Sequence, residues 1–404
     1  MKRISLLAAL LLPCYLFAGG FQLNIQGIKA VAMGGAFIGM ANDASTVFFN
    51  PAGMCNLTGH SFTAGVNIID PSVSIQTPET ANINQTSGIA TPIQFYYVGQ
   101  INEKLNVGFL VNNQFGSASS FEDDWQGRNI IQNISLRTFM LQPTVSYKLH
   151  EKLSVGAGLV YAIGSFSTEK AVPLATNTTD EGKASLEGSG GGLGYNIGIH
   201  SKLLEFGGDS AKTEIAVGVN YKSTLGVSLN NGEARFTNIP TSLADKFPAS
   251  TGFTSDITLP SVFTFGLSAK HSKKNWSLTI AYDLNYTGWS SYDTLAFDFE
   301  NADTPDSKQI QDWDNVLTHR FGVDYTYKET YSIRAGFYYD NTPMKDNLIS
   351  PHLPGVSQMA YTAGLGFRIN EKLSIDLSYI RQNASRDDAS IDSYKVEDGN
   401  FVLE

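Results

Sequence analysis

Residues 191–203 read GGLGYNIGIHSKL, and their periodicity decides the fold. Leu193, Tyr195, Ile197 and Ile199 fall on one face of an extended chain; Gly192, Gly194, Asn196 and Gly198 fall on the other. The pattern recurs in both directions: Leu153, Val155, Ala157, Leu159, Tyr161 and Ile163; Ile215, Val217, Val219 and Tyr221; Trp276, Leu278, Ile280, Tyr282 and Leu284; Phe321, Val323, Tyr325 and Tyr327; Ile333, Ala335, Phe337 and Tyr339; Tyr361, Ala363, Leu365, Phe367 and Ile369. Strict alternation means strands with one apolar face and one small or polar face. A soluble sandwich also alternates. These runs, however, hold about ten residues each, and at roughly 3.3 Å per residue and a tilt near 40° they span the ~25 Å apolar band of an outer-membrane barrel. Their second face carries Gly, Ser, Asn, Asp and Arg, which suits a wet or ligand-lined lumen. The fold class expected is all-β, a transmembrane antiparallel β-barrel.

Connections alternate in length. Short ones are 102–104, 150–152, 272–275, 328–330 and 370–372, with 205–212 slightly longer. Long polar ones are 77–89, 117–130, 169–188, 229–256, 301–312 and 340–358. Periplasmic turns and extracellular loops differ in this way, and Tyr147, Tyr221 and Tyr327 stand near the short-turn ends, where an aromatic girdle belongs. About thirteen strands follow Leu57. An open edge cannot face lipid, so bacterial barrels close with even counts. Parity therefore expects fourteen strands, with the last missing after GNFVLE at 399–404, or a count off by one.

Lys2 and Arg3, the apolar run 4–17 and the small residues Ala18, Gly19 and Gly20 read as an export signal, residues 1–19. That run is shorter than the ~20 residues a spanning helix needs, and no later run is long and apolar enough to be one. Cys14 follows Pro13 rather than the small residue of a lipoprotein site; after cleavage Cys55 alone remains, so no internal disulfide forms. The net charge of -10, from 28 Lys+Arg against 38 Asp+Glu, disfavours nucleic acid. The six histidines lack metal-ligand spacing, GSGGGLG at 188–194 lies inside an alternating strand, and no G-x-S-x-G motif occurs. FEDDW at 121–125 reads as a solvated acidic loop.

One stretch breaks the alternation: ANDASTVFFNPAGM at 41–54. DASTVFF has the makings of one or two helical turns with Asp43 or Ser45 as N-cap, ended by Asn50-Pro51 because proline lacks a donor and biases its neighbour away from helix. Its apolar side needs a burial place, and a barrel lumen supplies one.

The sequence resembles the FadL/TodX outer-membrane transporters of long-chain fatty acids and aromatic hydrocarbons. The resemblance rests on GFQLN at 20–24, AMGGAFIGMANDAST at 32–46, NPAG at 50–53, INEKLNVGFLVNNQFG at 101–116, YKS at 221–223, THRFGVDYTY at 318–327 and IRAGFYYDNTP at 333–343, in order over nearly the whole mature chain. It implies a fourteen-stranded barrel plugged by an N-terminal hatch, extracellular capture of the ligand between the third and fourth loops, an inner apolar pocket, and lateral release beside a kink in the third strand. No cofactor is implied. Mapped here, the signal is 1–19, the hatch 20–57 and the barrel 58–404. Asn50, Pro51 and Ala52 match the hatch motif that abuts the kinked strand, about Leu105 to Gly116, with Gly116 as the kink. The third loop is about 169–188. The fourth, about 229–256, offers Ile239, Leu243, Phe247 and Phe253 to line the groove.

A carboxylate head group wants a buried cation, and alternation points Arg320 and Arg334 inward on neighbouring strands. The plainer reading has them pair with inward Asp283, Asp324 or Asp376. The function expected is passive transport of hydrophobic compounds, long-chain fatty acids first, by a monomer in the bacterial outer membrane surrounded by membrane lipid and lipopolysaccharide. An aromatic-hydrocarbon channel and a plain porin or structural barrel are the alternatives. An enzyme is disfavoured because no inward histidine sits beside an evident Ser or Asp partner.

Overall fold

The alternating runs form the strands they predict, and the registers set which neighbour each one meets. A computed structural model describes residues 20–77, 80–172, 181–208, 210–345, 348–353, 355–383, 394–397 and 400–403. The signal reading of 1–19 lies outside them, as does the centre of the expected third loop. The strands are β1 His60–Val66, β2 Ser74–Thr77, β3 Thr80–Asn84, β4 Ile93–Gln100, β5 Leu105–Asn112, β6 Gly116–Ser120, β7 Asn133–His150, β8 Leu153–Val172, β9 Gly182–Gly208, β10 Ala211–Lys222, β11 Leu225–Thr237, β12 Ser250–Leu259, β13 Ser261–Lys273, β14 Trp276–Gly288, β15 Thr294–Phe299, β16 Ser307–Ile310, β17 Val316–Tyr327, β18 Tyr331–Asp340, β19 Gln358–Arg368, β20 Ser374–Asn383, β21 Tyr394–Glu397 and β22 Asn400–Leu403.

The fold is all-β. An antiparallel wall runs β1, β4, β5 with β6, β7, β8, β9, β10, β13, β14, β17, β18, β19, β20. Among the described residues no register joins β20 to β1. Strands β2 with β3, and β21 with β22, form separate hairpins.

Residues 229–256, expected as one loop, are largely strand. The end of β9 distant from its turn runs past the length a membrane requires, and there it changes partner. Its residues 196–208 pair with β10, while 183–191 pair with β11. β11 pairs with β12, β12 meets β15, and β15 pairs with β16. The alternation resumes there, shifted by one residue at a bulge after Leu229: Val227, Leu229, Ala234 and Phe236 are all buried. Residues 169–172 and 182–188 are likewise strand rather than loop. Backbone donors that leave the apolar band still need partners, and a collar of paired strands provides them.

The apolar face points outward. Leu193 is 65% exposed and Ile199 50%, whereas Asn196 between them is 0%. The inner face is covered by residues 21–57, which fold into α1 (Ile28–Ala32), α2 (Thr46–Phe49) and a 3-10 helix (Pro51–Asn56). α1 packs on β18, β19 and β20, α2 on β4 and β5, and the 3-10 helix on β5, β7, β8 and β9. Met33, Phe37, Val47 and Met54 are wholly buried here against Tyr96, Val98 and Leu110, so the core lies between this segment and the wall. Asp43 Oδ1 accepts from the Ser45 backbone N–H at 2.8 Å and so stiffens the entry to α2. Proline ends α2 as expected, but the chain then tightens into the 3-10 helix, whose first turn the Asn50 side chain caps at Ala52 N. α1, just ahead of the small-residue run, was not foreseen.

Candidate functional site

The third strand leaves the wall partway along. β5 pairs with β4 and β7 as far as Asn112, opposite Gln94 and Met140. β6 resumes pairing with β7 alone, Gly116 opposite Arg137. The break is residues 113–115, just before the glycine expected to make it. One residue more than the partner strand needs is inserted there, which is a bulge that bends the strand. The bend swings the chain to the N-terminal segment: Leu23 N donates to Gln114 O at 2.9 Å, and Gly116 N donates to Phe21 O at 3.0 Å. Asn113 fills the ladder with its side chain, accepting from Ile93 N at 2.9 Å and donating to Thr138 O at 2.7 Å. A Cβ on Gly116 would lie 3.3 Å from Leu136 O and 3.5 Å from Leu23 Cδ1, so the bulge rather than the missing side chain opens the wall.

Two cavities adjoin this break. Phe48, Leu110, Phe115, Met140, Leu225 and Leu259 give the first its apolar lining. Gln22, Asn24, Thr264, Asp283, Asn285 and Arg320 give the second its polar lining. Phe48 and Lys222 line both. The Lys222 ammonium lies over the Phe48 ring, 3.6 Å from its centroid, and among the described residues no carboxylate pairs with it. Lys222 ends β10 in step with inward Gly218 and Asn220, so the parity of YKS already carried the signal that an inward lysine waits there.

Both expected arginines face inward and both are 5% exposed, but their surroundings differ. Arg334 is saturated by Asp324 at 2.9 Å and Asp376 at 2.5 Å, as the plainer reading had it, and lines neither cavity. Arg320 lines the second cavity. It donates to Asn24 Oδ1 at 2.7 Å and to Gly34 O at 3.4 Å, and stacks 5.0 Å from the Tyr338 ring centroid.

Asn50 and Ala52 bond strands other than the third. Asn50 Nδ2 donates to Ile199 O at 3.0 Å, and Ser154 Oγ donates to Ala52 O at 2.8 Å, so the motif sits on β8 and β9. Glycine is required where it touches them: a Cβ on Gly156 would be 2.5 Å from the Pro51 carbonyl carbon, and one on Gly198 would be 2.1 Å from Asn50 Oδ1. At its break the kinked strand is met by Phe21 and Leu23. One inward histidine does neighbour a serine, contrary to expectation. His200 is inward and opposite Ser154, but its Nε2 is 3.0 Å from Gly39 O and the Ser154 hydroxyl is spent on Ala52 O, so the two form no nucleophile–base pair.

In the collar, Phe253 is 1% exposed and packs on Phe297 and Phe299. Phe247 stacks edge-on to Phe236 at 5.3 Å, half-buried like Ile239 at the margin of the cluster, and half-buried Leu243 ends the 3-10 turn Thr241–Leu243. Phe297 and Phe299, from β15, were not foreseen. Arg128 holds Glu181 with two bonds of 2.6 Å, and this guanidinium keeps the Glu181 carboxyl below its usual range.

The outer membrane protein transport protein family (OMPP1/FadL/TodX) matches residues 9–397. A long-chain fatty acid transport protein of Escherichia coli O6:H1 is 26% identical over 93% of this chain and 89% of its own. A FadL homologue of Pseudomonas aeruginosa superposes with a TM-score of 0.72 at 18% identity, covering 91% of this chain and 92% of that one. The toluene transporter TbuX of Ralstonia pickettii gives 0.66 at 17%, covering 87% and 92%.

Proposed function

The chain belongs to the OMPP1/FadL/TodX family of outer-membrane transport proteins, and we propose that it carries long-chain fatty acids passively across the polar outer leaflet by a hatch-gated, lateral route. In this reading residues 20–57 are the hatch and 58–404 the barrel, the short turns are periplasmic, and a fourteenth strand between β20 and β1 closes the wall. The collar cluster around Phe247 and Ile239 captures the chain from outside. The apolar cavity holds its tail. Lys222, with Arg320 across the second cavity, takes the carboxylate; Arg334, already saturated, positions the wall instead.

The observation that carries the reading is the break at residues 113–115, filled by the N-terminal residues 21–23 and bordering the apolar cavity at Gln114 and Phe115. A segment that plugs a hole in the wall can unplug it, and the opening faces lipid. A porin needs no such hole. The unpaired Lys222 favours an acid over the neutral hydrocarbon of toluene transporters, because a charge-assisted contact contributes about 1.5–3 kcal/mol. The experiment is labelled oleate uptake in bacteria lacking their own transporter. Wild type restores it; Lys222→Gln weakens oleate binding by about tenfold and leaves binding of a neutral hydrocarbon unchanged. Equal loss of both would remove the head-group role. Oleate-independent ion flux matching a porin would replace the transport reading.

A further inference from the structure

The wall carries two inward Asp–Arg–Asp groups. The first, Asp324, Arg334 and Asp376, is closed: both carboxylates meet the guanidinium, and Gly366 leaves the space, since a Cβ there would lie 2.7 Å from Arg334 Nη2 and from Asp376 Oδ1. The second, Asp283, Arg320 and Asp340, is open. Asp283 and Arg320 are direct cross-strand partners, as Asp324 and Arg334 are. Arg320 faces Tyr338, which puts Asp340 at the diagonal position, about 7–8 Å away and within reach of an arginine. Yet among the described residues no ion pair joins the three.

Each charge in the open group bonds the N-terminal segment, and Asp340 also accepts from the Thr318 hydroxyl of the wall at 2.6 Å. Asp283 Oδ2 accepts from Phe37 N at 2.7 Å and Ile38 N at 2.9 Å. Arg320 donates to Asn24 and Gly34. Asp340 accepts from Asn24 Nδ2 at 2.9 Å. Asp283 Oδ1 and Arg320 Nε are buried and lack partners. We propose that this group is a partner-exchange latch. With the segment docked, its charges hold Phe37, Ile38, Asn24 and Gly34. When the segment withdraws, Arg320 folds onto Asp283 and Asp340 and the group closes as its neighbour has done. The exchange matters energetically because a buried charge stripped of one partner costs several kcal/mol unless another is at hand. It makes Asp283 and Asp340 positioning residues of the gate.

The inference rests on the reading of residues 20–57 as a movable hatch, but its test needs no substrate, so failure of oleate uptake and failure of the latch are separate results. Hydrogen exchange at the Phe37 and Ile38 amides reports undocking. Asp283→Asn and Arg320→Gln each remove the ion pair of the undocked state, and the double variant removes it only once. The combined effect then departs from the product of the single effects by about tenfold. The same cycle on Asp324→Asn and Arg334→Gln gives a simple product, because that pair exists in both states. A simple product for Asp283 and Arg320 overturns the latch. Should a variant fail to assemble, unmodified protein decides: in urea that exposes the Phe37 and Ile38 amides while the wall stays folded, the Arg320 Nε–H gains exchange protection, and no gain overturns the proposal.

Discussion

The wall and the N-terminal segment are held by different bonds. Wall strands meet backbone to backbone along extended registers, thirteen pairs between β13 and β14 alone. Away from the third-strand break, the segment is attached by wall side chains reaching its backbone: Asn106 to Met54 O and Leu57 O, Gln142 to Val47 O, Asn196 to Phe48 O, Ser268 to Gly39 O, and Thr362 to Ala32 O. A ladder breaks cooperatively. Separate anchors, each contributing about 1 kcal/mol net, can be lost without unfolding what they are anchored to. By that argument the segment opens at lower cost than the wall, as the proposed gate requires.

Deleting residues 21–57 tests the contrast hardest. The wall is expected to assemble and the ion conductance in a planar bilayer to rise by an order of magnitude or more; an unchanged trace, or a wall that does not form, would break the comparison. Gly116→Leu comes next. It crowds Leu136 O and Leu23 where the segment fills the bulge, and several-fold slower uptake at equal surface amount is expected; normal uptake would remove this position from the gate. Gln142→Ala removes one anchor, lowering local protection of the segment by about 1–3 kcal/mol in hydrogen exchange while the melting of the wall stays put; a matching fall in wall stability would show one unit rather than two.

The smallest effect concerns the connection between β18 and β19, which touches β6 where the Ser119 hydroxyl donates to His352 O. Burial pushes His352 down to about 4. Its neutral form is therefore the one that folds, and an unfolded histidine would take up a proton near pH 6.5. Stability of this contact is full above that value and declines as pH falls toward 4. Proteolysis of 341–357 should quicken modestly over that window, and His352→Gln should abolish the pH dependence.

Period two made the wall legible, because burying one face of a long strand leaves no freedom in its pattern. The segment was legible only as an exception: Asn50-Pro51 marked a stop, but its neighbours depend on which strand curls beneath it, and nothing local encodes that. Arg320 and Arg334 looked alike because parity gives direction and not partners. Lys222 was readable by parity but sat at a strand end, where the pattern fades. The third-strand break was expected at the glycine. It lies at Asn113, whose amide can stand in for a peptide group, a property that period and composition do not reveal.

That amide has a geographical consequence. By bonding to both neighbours where the main chain has left, Asn113 gives the opening a sill. Eight residues separate it from Leu105 at the turn, a rise of roughly 20 Å at the usual strand tilt, so the sill stands high in a ~25 Å apolar layer. On the proposed lateral route, a fatty acid leaving above it enters the outer leaflet with its head near the surface it has just crossed. On that route the protein removes the sugar barrier alone, and turning the molecule over to the inner leaflet is left to the bilayer.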